Sequence, residues 1–144
     1  MLTVARDIER ADDFDHIMRE AERLEVHCQY VVIVPKEISL ADSMEKDVPK
    51  KYIFGYSTPT KYGGTNIDKD HFKRPVHILG GRPDIQRKVA DHMNVFSFDC
   101  NRFTYDARYG DYFDGTRFVP HPAGGYELCL NESIDNINKL WQTY

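Results

Sequence analysis

Four short apolar runs, each closed by a turn-forming or polar residue, limit what this chain can fold into. They are residues 29–34, 52–57, 76–79 and 95–98, and they are followed by Pro35, by Thr58-Pro59, by Gly80-Gly81 and by Asp99. Runs of this length that are rich in β-branched and aromatic residues predict strands buried on both faces, as in parallel sheets. We therefore expect an α/β fold with mainly parallel strands joined by crossover helices.

The segments between and around these runs carry weaker signals. We expect a helix over residues 3–25 with a break near 11–13, and an aspartate at this break caps the second half of the helix. A loop or short helix should follow over 37–51, and Pro83 should begin a helix over 84–92. A strand over 126–130 and a helix over 133–141 complete the expected elements. The Tyr- and Asp-rich segment after Asp99 is expected to be a loop. A proline suits the first turn of a helix because that position needs no N–H donor.

Composition and charge narrow the class of protein. A length of 144 residues suits a single α/β domain over 1–144 with its own core. The net charge of −4 argues against a protein that coats nucleic acid without specificity. The N-terminus is acidic and amphipathic, and no apolar stretch is long enough to span a membrane, so we expect neither a signal peptide nor a membrane anchor.

The cysteines and histidines predict neither a metal site nor a cofactor. Cys28, Cys100 and Cys129 are far apart in the sequence, and there is no Cys-x-x-Cys pair. We interpret them as reduced thiols in a cytoplasmic protein. Cys100, His121 and Cys129 form a metal-ligand set on paper, but separate buried or surface positions are the favoured interpretation.

The candidate site follows the fourth apolar run. Asp99 stands where that run stops, and reacting groups in β/α folds collect at the carboxyl ends of strands. Arg102 and Arg108 follow within ten residues. Their charge and their proximity to Asp99 favour an anionic ligand such as a nucleic-acid backbone.

The residues of this region also form a recognisable pattern. It consists of Phe98-Asp99-Cys100, Thr104, Ala107-Arg108-Tyr109-Gly110 and Phe113. The pattern resembles the end of the last barrel strand in the tRNA-guanine transglycosylase superfamily. The likeness is closest to the DNA-modifying and viral relatives, which insert 7-deazaguanine bases.

The resemblance implies roles for individual residues. Asp99 matches the nucleophile that attacks the sugar anomeric carbon and displaces guanine, which leaves a covalent enzyme–nucleotide intermediate. Arg108 matches an arginine that contacts the nucleic acid, and an ion pair with Asp106 or Asp111 is the alternative interpretation of this residue. Thr104 holds a motif position in the same substrate-binding region. Arg102 matches no motif position, so its phosphate contact is inferred from charge and proximity alone.

Two glycine-containing strand ends extend the resemblance. Gly80-Gly81, before Arg82-Pro83, matches a glycine-rich strand end that precedes a helix, and such a turn lets a flat base approach the backbone. Gly55 corresponds to the strand end that lies against the bound base. Tyr56 beside it is interpreted either as a stacking residue for the substrate or as packing.

The resemblance covers only the C-terminal half of a barrel, about four βα units. A complete (β/α)8 barrel needs roughly 200 residues or more, so we expect a partial, TIM-barrel-like fold that another copy or a partner chain completes. The family's second catalytic aspartate and its zinc ligands have no counterpart here, and the candidates for the acid–base group are His77 or an aspartate from a partner. The alternative function is a non-catalytic nucleotide-binding or assembly module.

Overall fold

The computed structural model describes all 144 residues, which form two compact units. The first unit contains residues 1–79 and 92–98, and the second contains residues 80–91 and 99–144. The single α/β domain expected from the sequence stays a prediction.

A five-stranded parallel sheet forms the centre of the first unit. Its strands are β1 (Leu2–Val4), β2 (Tyr30–Ile33), β3 (Ile53–Ser57), β4 (Val76–Leu79) and β5 (Val95–Phe98), and they lie side by side in chain order. Each new strand is added at the same edge, which is the arrangement of a (β/α) barrel and not of a doubly wound sheet. The predicted α/β class with parallel strands and a partial TIM-barrel-like form is confirmed.

The sheet is curled. Tyr30 lies on β2 and Phe96 on β5, yet their ring centroids are 5.1 Å apart. Neighbouring strands are about 4.8 Å apart, so three steps across a flat sheet would separate these strands by roughly 14 Å. The edge-on contact of the two rings therefore requires a strong curvature, with both side chains on the concave face. β1 and β5 are the two edges of the sheet.

The two faces of the sheet carry different residues. Partnered residues of a parallel ladder point to the same side, and successive residues alternate. Gly55 pairs with His77, and His77 with Ser97, so these three share one face. Phe54 and Tyr56 point to the other face, where both rings meet Phe72 edge-on.

Two α-helices belong to the first unit. α1 (Phe14–Leu24) buries Ile17 and Ala21 and packs against β2, while α2 (Met44–Asp47) buries Met44. Both lie between strands in the sequence, as the alternating pattern predicts.

The second unit is mostly helical. It contains α3 (Pro83–Ala90), α4 (Arg102–Ala107), a hairpin of β6 (Asp111–Phe113) and β7 (Phe118–Pro120), and α5 (Tyr126–Trp141). Phe113, Cys129 and Ile137 are buried in its core. Ser133 on α5 accepts the Phe113 N–H at 2.9 Å, which joins the helix to the hairpin. No helix, including the 16-residue α5, is both long and apolar enough to cross a bilayer.

The structure corrects the helix expected over residues 3–25. Residues 2–4 form β1 instead, because their backbone pairs with residues 30–32 of β2. The expected break near 11–13 is confirmed, since these residues form a short 3-10 turn before Phe14. Asp13 makes no side-chain capping bond there, so the predicted aspartate cap is wrong.

Two further expectations are wrong. Residues 126–130 are the first turns of α5 and not a strand, because Cys129, Ser133 and Ile137 recur every four residues on its buried side. The segment after Asp99, expected as a loop, contains α4 and the β6–β7 hairpin.

Candidate functional site

Asp99 directly follows β5 and is exposed. Its Oδ1 accepts the Gly80 N–H at 3.4 Å. Gly80 and Gly81 have φ angles of +63° and +78°, a region that L side chains rarely adopt. No atom lies within 4 Å of the position that a Cβ on Gly80 would take, so the glycine turn leaves open space beside the carboxylate.

A buried amide fixes the backbone of this site. Gln86 of α3 is completely buried, and its Nε2 donates to Gly80 O at 2.7 Å and to Asp99 O at 2.6 Å. One side chain therefore connects the glycine turn to the residue that carries the carboxylate. Its Oε1 is buried without a hydrogen-bond partner.

Cys100 is a poor competitor for the role of nucleophile. Burial raises the pKa of its thiol above the ordinary value, and the nearby Asp99 charge also raises it. The backbone N–H groups of Arg102 and Phe103 lower this pKa, but by less. Its Sγ lies 3.9 Å from Gly81 O. Because the thiolate is the reactive form of cysteine, the exposed carboxylate of Asp99 is the better candidate.

α4 positions the remaining predicted residues of this region. Arg102 Nε donates to the buried Asp106 at 2.6 Å across one helical turn. The Thr104 hydroxyl donates to Asn101 O at 2.6 Å, which secures the start of the helix. Arg108 is exposed directly after α4. The second unit contains six of the predicted site residues: Gly80, Gly81, Asp99, Arg102, Thr104 and Arg108. Of these, a hydrogen bond joins Gly80 to Asp99.

Gly55 and Tyr56 belong to β3 in the first unit, and both are buried. A Cβ on Gly55 would lie 2.6 Å from Val34 Cγ2 and 2.8 Å from Val32 Cγ1. The ring of Tyr56 packs edge-on against Phe72 at 5.4 Å, and burial raises the pKa of its hydroxyl. Packing accounts for both residues, and their substrate-binding role stays a prediction.

His77, a candidate acid–base group, lies within the sheet. It is 4% exposed, and its Nδ1 is 2.8 Å from Ser97 Oγ on the neighbouring strand. This placement fits a core histidine whose polar atoms are bonded inside the fold.

Comparison with known proteins places the chain in a family but adds no activity. The profile of a family of unknown function, DUF6610, matches residues 1–142. The chain belongs to this family. Neither the curated proteins nor the solved structures include a match.

Gln86 is the residue of this DUF6610 chain that the sequence analysis missed. It shares the buried face of α3 with Pro83, Val89 and Ala90. A glutamine three residues after the first residue of a helix, on the apolar face, is the signal that identifies it. Buried polar side chains in folded proteins are hydrogen-bonded, so a buried glutamine indicates a hydrogen-bond partner elsewhere in the chain.

No cluster of three or more histidine, cysteine or acidic side chains in the DUF6610 chain is arranged to hold a metal ion. Cys100, His121 and Cys129 therefore do not form a shared site. His121 instead contacts Glu132 at 3.1 Å through Nε2 and accepts the Ala123 N–H at Nδ1.

Proposed function

We propose that this chain is a transglycosylase-like protein that exchanges guanine for a 7-deazaguanine base in DNA or tRNA. The reaction proceeds through an intermediate in which Asp99 is bonded to the nucleotide. One observation carries the proposal: an exposed carboxylate at the end of the last parallel strand lies beside an open glycine turn, and a buried amide holds both backbones.

A carboxylate suits this chemistry. One oxygen of Asp99 attacks the sugar anomeric carbon while the glycosidic bond to guanine breaks, and the bonding electrons leave with the purine. The incoming base then loses a proton, attacks the same carbon and releases the carboxylate. Retaining glycosidases use the same two displacements at an oxocarbenium-like centre. A proton donor for the leaving purine is also required.

The open glycine turn supports the binding of a flat base. Gly80 offers a backbone surface with free space above it, and a side chain at this position would fill that space. Arg108 of the same unit is exposed and offers a cation to a phosphate group. Arg102 and Thr104 are the other proposed substrate contacts on α4.

Incorporation of radiolabelled guanine tests the proposal. Duplex DNA, single-stranded DNA and tRNA are each incubated with the wild type and with Asp99→Asn. The variant keeps the size of the side chain and removes the charge, so exchange is expected in the wild type and absent in the variant. Exchange that persists in Asp99→Asn, or no exchange by the wild type in any of the three polymers, contradicts the proposal.

The open sheet favours a second candidate, an assembly module that completes a barrel with another chain. β1 and β5 are both edges, so each carries backbone groups without a neighbouring strand on one side. A second copy of this chain is one such partner. Light scattering after size-exclusion chromatography tests this candidate: a stable dimer supports completion by a second copy, and a monomer at high concentration contradicts it.

A further inference from the structure

Two exposed tyrosines stand close together at the end of α4. Tyr105 is 51% exposed and Tyr109 is 69% exposed, and their ring centroids are 5.3 Å apart. Tyrosine is normally more buried than this, and a contiguous exposed aromatic surface indicates an interaction site. Packing within the unit therefore does not explain why both rings remain at the surface.

Hydrogen bonds fix the backbone that carries these two rings. Tyr105 lies within α4, and the Tyr109 N–H donates to Asp106 O at 2.9 Å in the turn that ends the helix. Asp106 is buried and bonded to Arg102 at 2.6 Å. The rings are thus presented by a fixed turn, which lowers the entropy lost when a ligand stacks on them.

Cationic groups flank the two rings. The Arg102 guanidinium carbon lies 5.5 Å from the centroid of the Tyr105 ring. Arg108, between the tyrosines in the sequence, is exposed. Aromatic rings next to arginines are typical of surfaces that bind single-stranded nucleic acid.

We propose that Tyr105 and Tyr109 form a stacking platform for unpaired bases of a nucleic-acid strand, with Arg108 contacting its phosphates. Duplex is the wrong partner, because bases that are already stacked offer no free faces to the rings. Asp99 lies three residues before α4. The assignment of the bound strand as the substrate of Asp99 rests on the proposed function, whereas the binding itself does not.

Fluorescence anisotropy with labelled oligonucleotides tests the platform. Single-stranded DNA, single-stranded RNA and duplex DNA of one sequence are titrated with the full chain carrying Asp99→Asn, so that no turnover is involved. We expect either single strand, or both, to bind more tightly than the duplex. Tyr109→Ala should weaken that binding about 5- to 150-fold, the range measured for loss of one stacked base.

Matched variants separate stacking from general effects. Tyr109→Phe keeps the ring and should bind as the Asp99→Asn parent does. Tyr62→Ala is the control, because Tyr62 is 87% exposed and has Lys61 Nζ 4.9 Å from its ring centroid, yet lies in the other unit. Arg108→Gln should reduce the slope of log K against log[salt] by about one, which corresponds to the loss of one phosphate contact.

Equal affinity for single strands and duplex, or unchanged binding by Tyr109→Ala, overturns the platform. Equal losses in Tyr109→Ala and Tyr62→Ala also overturn it, because the effect is then not specific to the pair. Circular dichroism confirms that each variant is folded. Binding that is retained while the guanine-exchange assay fails contradicts only the proposed function, so the two failures are distinguishable.

Discussion

The two units use the same residue types in opposite ways. In the first unit, Arg74 is nearly enclosed, with its side chain 13% exposed. It pairs with Glu45 at 3.0 Å, donates to the backbone carbonyl of Val48 at 2.9 Å and lies over the Phe54 ring at 4.2 Å. In the second unit, Arg108 is exposed directly after α4. One arginine holds the fold together, and the other is available to a ligand.

Glycine and tyrosine show the same contrast. The space above Gly55 is filled by valine side chains, whereas the space above Gly80 is open. Tyr52 of the first unit is 2% exposed, while Tyr109 of the second is 69% exposed. The first unit therefore uses these residue types for packing, whereas the second unit leaves them exposed. Asp99 and the open Gly80 turn follow β5 and β4, and we propose that the chemistry takes place there.

Replacing the two arginines should give the largest difference in stability. Arg74→Ala removes a partly buried ion pair and several bonds to backbone carbonyls, so we expect a loss of about 3 kcal/mol in the free energy of unfolding. Arg108→Ala should change it by less than about 0.5 kcal/mol, as for an ordinary surface site. Urea denaturation measures both. Equal effects of the two variants would break the comparison.

The two glycines should differ by a smaller amount. Gly55→Ala drives a methyl group into two β-branched side chains that have little rotamer freedom, and overpacking of this kind costs about 1–3 kcal/mol. Gly80→Ala meets open space and incurs only the cost of a left-handed backbone, about 1 kcal/mol. Thermal unfolding of both variants checks this order, and the opposite ranking would be inconsistent with the packing described for β3.

The buried tyrosine should give an effect that depends on pH and develops only above pH 10. Burial, together with the bond to the Glu25 carboxylate, raises the pKa of Tyr52 from 10.0 to about 12. The protonated Tyr52 hydroxyl therefore contributes to the free energy of unfolding. This contribution is complete below pH 10 and is lost as the pH rises through about 12. The urea midpoint of the wild type should therefore fall more steeply over this range than that of Tyr52→Phe.

A matched substitution controls for loss of a hydroxyl group. Tyr126 is 45% exposed at the start of α5. Tyr126→Phe should retain the wild-type slope of the urea midpoint against pH. Identical slopes for the wild type and Tyr52→Phe would show that the Tyr52 hydroxyl is not held in the folded state.

The sheet was largely predictable from the sequence because strands buried on both faces leave a strong local signal. β2 to β5 match the four apolar runs closely. The sequence does not reveal β1, because a strand of three residues is too short to show an alternation of apolar and polar positions. Its pairing with β2 joins residues that are far apart in the sequence. α5 was shortened because the alternation over residues 126–130 imitates a strand.

The candidate site was predictable in part. Asp99 and Gly80-Gly81 could be found because turns and carboxylates at strand ends have a local signature, and the structure joins them by a hydrogen bond. The position of Gln86 on the apolar face of α3 marks it as a buried polar residue. Its partners are not predictable, because the backbone carbonyls of residues 80 and 99 reach it only in the folded chain. The substrate-binding roles of Gly55 and Tyr56 stay predictions.

We propose above that Asp99 is the nucleophile of this chain. Intact-protein mass spectrometry after acid quenching, with tRNA or DNA as substrate and the polymer trimmed by nuclease, tests it most directly. We expect a nucleotide adduct that maps to the peptide containing Asp99 in the wild type and is missing in Asp99→Asn. An adduct on any other residue, or one that persists in Asp99→Asn, would contradict it.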